Sequence, residues 1–474
     1  MKVKMILPAL VEAMVRPIKY SLFPPLGLAT LASYLPPDAQ VEIQDEHVER
    51  LRLDDRPDLA VIQVYITSAR RAYEIADHYR RLGAHVCLGG LHVTTCPKEA
   101  MAHADTLFFG PGEDTWPVFL EDFKEGHPKV FYASKNRSLS GLPLPRRDLI
   151  RKERYLVPNS IVVSRGCPHH CSFCYKDSFF EGGKSYYTLE VDRALREIGS
   201  LPGRHLYFLD DHLFGNTRFI GALFDGMRGM GRLWQAAGTV QAILTQPALF
   251  EKAAACGLRS LFVGFETLNQ GNLSSVSKTH NLGRDYNEAI RRLHDLGIMI
   301  NASFVFGMDG DGPDVFDRTV DWGVEQGLET ATYHILTPYP GTALRAGMER
   351  ERRILSNDWE LYDTRHSVFQ PKGMTPVQLE SGYWKAYQRF YSWKGVVQSA
   401  LTKPDLRSMA RHLAYTGGWK KMEPLWNLII KSGALGRMRP VLEGVLNGLG
   451  KTSRKSQASR PEVPHVENLS LEVS

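Results

Sequence analysis

Three cysteines fall within eight positions, Cys167, Cys171 and Cys174, in the run Ser164-Arg165-Gly166-Cys167-Pro168-His169-His170-Cys171-Ser172-Phe173-Cys174-Tyr175. Thiolates at C-x3-C-x2-C spacing on one short loop can each hold one iron of a cubane 4Fe-4S cluster, leaving its fourth iron without a protein ligand. An open iron can chelate a small molecule and pass an electron into it, whereas a fully ligated cluster only carries electrons. The competing reading is a structural zinc site with His169 or His170 as fourth ligand. Zinc sites usually pair two C-x2-C knuckles, and the sequence has no second one. The remaining cysteines, Cys87, Cys96 and Cys256, read as free thiols.

A loop of this kind needs a frame. From Val3 to about Phe131, β-rich runs (Val3–Leu7, Val41–Asp45, Leu59–Tyr65, His85–Leu88, Thr106–Phe109) alternate with helical patterns starting near Pro25, Ala69, Pro97 and Asp114. The alternation predicts an α/β, doubly wound, Rossmann-like domain over residues 1–133, with a parallel sheet covered on both faces. Residues 134–158, rich in Pro, Arg, Ser and Lys, read as a linker. A second series follows, with strands at Ile161–Ser164, His205–Leu209, Trp234–Gly238, Leu261–Phe265, Ile300–Phe306 and Thr332–Leu336. It predicts a partial (β/α)6 barrel over 159–345, whose functional residues belong at the C-terminal strand ends. Residues 346–450 read as mostly helical. There Tyr383, Trp384, Tyr387, Phe390, Tyr391 and Trp393 stand at near-helical spacing, as core packing does. Residues 451–474 read as a disordered tail.

Composition narrows little: 43% hydrophobic, 23% charged and a formal net charge of +6 over 474 residues describe an ordinary globular protein of two domains. Basic residues gather late (Lys403, Arg407, Arg411, Lys420, Lys421, Lys431, Arg437, Arg439, Lys451, Arg454, Lys455) and read first as a solvated face. The early apolar run stops at Pro8 and no stretch approaches the roughly 20 apolar residues of a spanning helix, so a cytoplasmic protein is expected. No basic-aromatic module suggests nucleic acid.

The cysteine run, with aromatic Phe173 before the last cysteine, resembles the signature of the radical S-adenosylmethionine superfamily. The resemblance implies that Cys167, Cys171 and Cys174 ligate the cluster and that its open iron binds S-adenosylmethionine. Reductive cleavage then yields a 5'-deoxyadenosyl radical. Further segments sit at the expected strand ends: Phe208-Leu209-Asp210-Asp211-His212, Val263-Gly264-Phe265-Glu266-Thr267 and Phe304-Val305-Phe306-Gly307-Met308. Glu266 is the leading carboxylate for ribose hydroxyls or the methionine ammonium, ahead of Asp210 and Asp211. Pro24-Pro25-Leu26-Gly27, Gly89-Gly90-Leu91-His92, Gly110-Pro111-Gly112-Glu113-Asp114 and Thr337-Pro338-Tyr339-Pro340-Gly341 resemble the cobalamin-binding branch of that superfamily. This resemblance implies cobalamin beside Thr67-Ser68 and Gly89-Gly90, with Gly112 and Glu113 near its nucleotide tail. The Asp-x-His-x-x-Gly motif that gives cobalt a histidine is absent; Asp45-Glu46-His47 comes closest, with Arg50 in place of the glycine.

The implied activity is C-methylation of an unactivated carbon in a small molecule or lipid, fed by an electron donor such as flavodoxin or ferredoxin. Two alternatives stay open: oxidative cyclisation or rearrangement of a tetrapyrrole-like or isoprenoid substrate, and a non-catalytic iron-sulfur or corrinoid-binding protein. The aromatic and basic C-terminal region also fits peripheral membrane association.

Overall fold

In a computed structural model, the structure describes residues 1–10, 23–135 and 137–421. The expected tail and the basic residues beyond Arg411 lie outside the described side chains.

The first sheet has six parallel strands, β1 (Lys2–Leu7), β2 (Gln40–Asp45), β3 (Leu59–Gln63), β4 (His85–Gly89), β5 (Thr106–Phe109) and β6 (Phe131–Ala133), in the order β2-β1-β3-β4-β5-β6. Its inner strands are apolar on both faces, as helices on both sides require. Ile6, Ile62 and Leu88 pack with Ala72, Tyr73, Ile75 and Ala76 of the helix Ala69–Arg81 on one side. Val3, Met5 and Val61 meet Leu28, Trp116 and Phe119 of the helices Leu26–Ala32 and Trp116–Lys124 on the other. The sequence reading stops at β5. The sixth strand has three residues with only Tyr132 buried, too short a stretch for alternation to register. The chain passes from β1 to β2 on one side and to β3 on the other, so strand order reverses between β1 and β3.

The second sheet runs β7 (Ser160–Ile161), β10 (His205–Phe208), β11 (Leu233–Gly238), β12 (Leu258–Glu266), β13 (Met299–Phe306) and β14 (Thr330–Ile335), six parallel strands in sequential order. The expected strand Ile161–Ser164 is two pieces. After β7 the chain turns into a hairpin, β8 (Ser164–Gly166) antiparallel to β9 (Tyr186–Thr188), and the cysteine loop spans the two. Asp210 causes the break: its Oδ1 accepts the amides of Val163 (3.1 Å) and Ser164, donors that a longer ladder would use.

The segment read as a linker is packed on both sides. Leu139 and Leu142 belong to the barrel core, Arg146 N donates to Ala29 O at 2.9 Å, and Tyr155 donates to Asp45 at 2.9 Å. Beyond the barrel, Thr375 and Gln378 form a reciprocal capping box that starts the helix Pro376–Phe390. Tyr387 and Tyr391 then reach the exposed edge of β14. Tyr391 accepts from Ala331 N (3.0 Å) and donates to Ala331 O (2.8 Å), and Tyr387 does the same with Tyr333 (3.1 and 3.3 Å). The aromatic stripe is therefore core at Tyr383, Phe390 and Tyr391, while Trp384 and Trp393 are exposed. Of the late basic residues, Lys403 is no solvated charge: it is buried against Glu329 and Gly327 O.

Candidate cluster and cofactor site

Gly166 lies at φ 73°, and a Cβ there would fall 2.1 Å from Ser185 O, the same carbonyl that accepts Cys167 N at 3.0 Å. Only glycine lets the hairpin close so tightly where the loop begins. Asp211 then brackets the loop, accepting Gly166 N (3.1 Å) at one end and the Tyr175 hydroxyl (2.8 Å) at the other. Midway, Ser172 N donates to Val276 O and Ser172 O accepts from Leu344 N, so the loop is tied to the β12 side and to the segment after β14. Phe173 packs on the barrel core.

All three thiols are half-buried and unoxidised, and burial pushes each up to about 11. Each also feels a neighbouring thiol: Cys167 that of Cys174, Cys171 that of Cys167, Cys174 that of Cys171. Two sulfurs on one tetrahedral zinc ion would stand about 3.8 Å apart. Among the described residues the group of possible ligand atoms within 4.8 Å of one another is His92, Cys96 and Glu99, and the cysteine loop forms no such tight group. Its more open arrangement fits a cluster of several irons.

Glu266 ends β12 at φ 64°, a left-handed conformation rare outside glycine, and its carboxylate forms a buried ion pair with Lys278. Gly264 makes room for it, since a Cβ there would lie 2.5 Å from Glu266 Oε1. Burial would lower the Lys278 ammonium, but the charges of Glu266 and Cys171 outweigh it and hold it above its usual value. No local pattern points to Lys278, which lies 12 residues beyond its partner. Asp210 clamps the backbone: Ser164 Oγ donates to the same Oδ1 (2.5 Å), and Oδ2 has no hydrogen-bond partner. Burial pushes its carboxyl up to about 7.

Three histidine rings meet at the loop: His169 stacks on His280 at 3.7 Å ring to ring and lies tilted against His212 at 5.3 Å. Burial, with Lys278 nearby, pushes them down to about 4, 3 and 4 for His169, His280 and His212, so all are neutral imidazoles at physiological pH.

In the first domain, Gly90 lies at φ 114° and a Cβ would sit 2.9 Å from Val64 O, while a Cβ on Gly89 would sit 3.3 Å from Phe108 Cβ. Close chain packing explains both, with Val64 N on Gly89 O and His92 N on Val64 O stitching the β3 and β4 loops together. Gly112 only faces Leu31. Glu113 turns to the barrel: its Oε1 accepts Arg165 Nε (2.9 Å) and Nη2 (2.7 Å). Arg165 lies two residues before Cys167, so this pair joins the two sheets at the cluster loop. Thr67 is half-buried in the turn after β3. Beside it, Tyr65 is 46% exposed, and its hydroxyl accepts from Gln63 Nε2 at 3.0 Å. His92 is fully buried against Glu99.

The radical SAM superfamily model matches residues 161–323, and the B12 binding domain model matches residues 19–120. Two bacteriochlorophyllide d methyltransferases of Chlorobaculum tepidum are similar: the C-12(1) enzyme is 29% identical over 73% of this chain and 77% of its own length, and the C-8(2) enzyme 27% over 80% and 88%. The structure of the cobalamin-dependent S-adenosylmethionine radical enzyme OxsB, solved with aqua-cobalamin and S-adenosylmethionine, superposes with a TM-score of 0.65 at 16% identity, covering 95% of this chain and 76% of that one. The two matches cover, in order, the central strands of the two sheets that the Glu113–Arg165 pair joins: β2 to β5 in the first and β10 to β13 in the second. The chain belongs to the radical S-adenosylmethionine superfamily and carries a B12-binding domain ahead of its barrel.

Proposed function

We propose that this protein methylates an unactivated carbon of a hydrophobic polycyclic substrate, a tetrapyrrole or a lipid, using a 4Fe-4S cluster, S-adenosylmethionine and cobalamin. The observation that carries the reading is the Glu113–Arg165 pair, which holds the cofactor end of the B12-binding domain against the cluster loop. When bound, these groups supply a carbon-centred radical at the barrel mouth and a methyl group carried on cobalt. Cys167, Cys171 and Cys174 hold the cluster; Phe173 packs the loop on the barrel, and Asp211 and Asp210 fix its course. Glu266, its charge balanced by Lys278, offers hydrogen-bond acceptors at the end of β12 for the nucleoside or methionine part of the cofactor. Thr67, Gly89 and Gly90 form the wall facing the corrin. Gly112 lies toward its nucleotide tail, and Glu113 acts as the clasp.

The flat rings of His169, His212 and His280 beside the cluster loop offer a surface that suits a hydrophobic substrate. Similarity to two bacteriochlorophyllide methyltransferases supports the tetrapyrrole class. No helix among the described residues is long and apolar enough to cross a membrane. Exposed Trp384, Trp393, Leu401 and Leu406 support peripheral contact with a bilayer as the source of substrate. An electron donor such as flavodoxin or ferredoxin would reduce the cluster in the cytoplasm.

The test is anaerobic reconstitution with iron, sulfide and hydroxocobalamin, then metal and corrinoid quantification and a dithionite-driven assay for 5'-deoxyadenosine. About four irons per chain, bound corrinoid, and nucleoside formation abolished in Cys171→Ala are expected. Cleavage without corrinoid overturns the methyl transfer, and zinc in place of iron overturns the whole reading. With substrate, S-adenosylhomocysteine formed alongside 5'-deoxyadenosine indicates methylation; 5'-deoxyadenosine alone indicates ring formation.

A further inference from the structure

Outside the cysteine loop, metal-binding side chains also gather at the joint of two short helices after β4. His92 and Cys96 stand one helical turn apart, on the helix Leu91–Thr95 and at its end, with Cys96 N donating to His92 O at 2.8 Å. Pro97 then opens a second helix, Pro97–Ala100, with Glu99 in its first turn. The chain bends at Cys96 between them, and the bend brings the Glu99 carboxylate to the His92 ring. One ligand atom from each of the three residues lies within 4.8 Å of the other two.

The His92 ring is fully buried, with Nε2 3.3 Å from Glu99 Oε1 and Nδ1 without a hydrogen-bond partner. A neutral imidazole carries one proton and one lone pair. In neither tautomer does that lone pair meet a donor: on Nδ1 it has no partner, and on Nε2 it faces a carboxylate oxygen. A cation supplies what the lone pair lacks. Two nitrogen or oxygen ligands of one tetrahedral zinc ion stand about 3.3 Å apart, the separation of Nε2 and Oε1. A charge-assisted N–H···O bond would be shorter, at about 2.7–2.9 Å. Glu99 Oε2 is already fixed, accepting Trp359 Nε1 at 3.0 Å, which leaves Oε1 for a metal. Cys96 is half-buried and the Glu99 side chain 39% exposed, so an ion has a path in and water has a place as fourth ligand. Arg345, whose charge reaches Cys96, is itself paired with Glu349 at 2.7 Å.

We propose that His92, Cys96 and Glu99 form a zinc site at this joint, with water completing a tetrahedron. A thiolate, an imidazole and a carboxylate together suit zinc, whereas magnesium and calcium take oxygen ligands. Binding releases the Cys96 thiol proton to solvent, and the thiolate and carboxylate balance the two charges of the ion. No electron is transferred. Through Trp359 the site also ties the helices after β4 to the segment that follows the barrel. It shares no residue with the cluster loop or the corrin wall, so it stands or falls apart from the proposed function.

The experiment is zinc and iron quantification with zinc-edge X-ray absorption on the full-length protein. The cluster is reconstituted first, zinc is then added, and loosely held metal is removed with a chelator. Wild type is expected to keep about one zinc ion per chain beside its iron, with one sulfur at about 2.3 Å and nitrogen or oxygen at about 2.0–2.2 Å. Cys96→Ser should lose the sulfur shell, and Glu99→Gln, whose amide oxygen can still accept from Trp359, should weaken zinc binding by about tenfold or more. Iron content unchanged in both variants shows that they fold. A variant with Cys167, Cys171 and Cys174 all replaced by alanine should lose iron and keep the zinc. No retained zinc in wild type, a shell with no sulfur, or zinc binding unchanged in Cys96→Ser and Glu99→Gln overturns the site. Two or more sulfurs around zinc would place the ion in the cysteine loop and overturn it as well, a result read from wild type alone.

Discussion

If Glu113 and Arg165 fix one domain against the other, removing either charge must loosen the cluster loop. The pair is close, with Arg165 Nη2 2.7 Å from Glu113 Oε1, and mostly sheltered, with side-chain exposures of 21% for Arg165 and 13% for Glu113. Breaking a fully buried pair costs about 3–5 kcal/mol because the surviving charge is stranded, whereas an exposed pair is worth about 1 kcal/mol or less. Partial solvent access places this one between them, at about 2 kcal/mol, or roughly 30-fold in an equilibrium constant. Glu113→Gln, Arg165→Met and the double variant form a cycle that isolates the interaction. Because a chain of this size does not unfold in one step, the readout is local: hydrogen exchange of peptides spanning residues 160–190 in the reconstituted protein. Each single variant should lose about 2 kcal/mol of protection there, and the double variant little more than either. If the two losses simply add, there is no coupling and the clasp is refuted. If protection changes only near Glu113, the pair does not reach the cysteines.

Asp210 gives a pH dependence of definite sign. Its folded value, pushed up to about 7 by burial from an ordinary 3.8, means that its contribution to stability is complete below pH 3.8 and is lost as pH rises through about 7. Wild type should therefore lose thermal stability between pH 5 and about 7.5 relative to Asp210→Asn, as read by the difference in Tm; parallel profiles would show that the carboxyl ionises freely. Tyr391→Phe strands the amide and carbonyl of Ala331 at the β14 edge and should cost about 1–3 kcal/mol, with faster exchange at β14 and no change in iron content. An unchanged exchange pattern would mean that water serves that edge as well.

What the sequence disclosed follows from how local each signal is. The cysteine loop was legible because its ligands and the glycine that turns it lie within one stretch of chain, Gly166 to Cys174. β1 and β13 were legible because the apolar runs Met5–Leu7 and Phe304–Phe306 close strands whose residues are nearly all buried. The three-residue β6 offered no such run. Asp210 stands at a strand end, and its capture of the Val163 and Ser164 amides, 47 and 46 residues away, leaves no local mark in the sequence. Lys278 and Arg165 matter only through partners 12 and 52 residues away. Glu113 and Gly90 stand in glycine loops that the sequence marks, but the Arg165 pair and the close approach to Val64 depend on chain distant from either loop.

The two phenols on β14 have a consequence for the protein in concentrated solution. A six-stranded barrel that does not close presents its last strand as a template for any extended chain, including another copy of itself. Tyr387 and Tyr391 each engage both the amide and the carbonyl of one residue on that strand, so a side chain from a helix occupies the positions an invading backbone would need. The open barrel can thus remain three-quarters complete without recruiting a seventh strand from a neighbouring molecule.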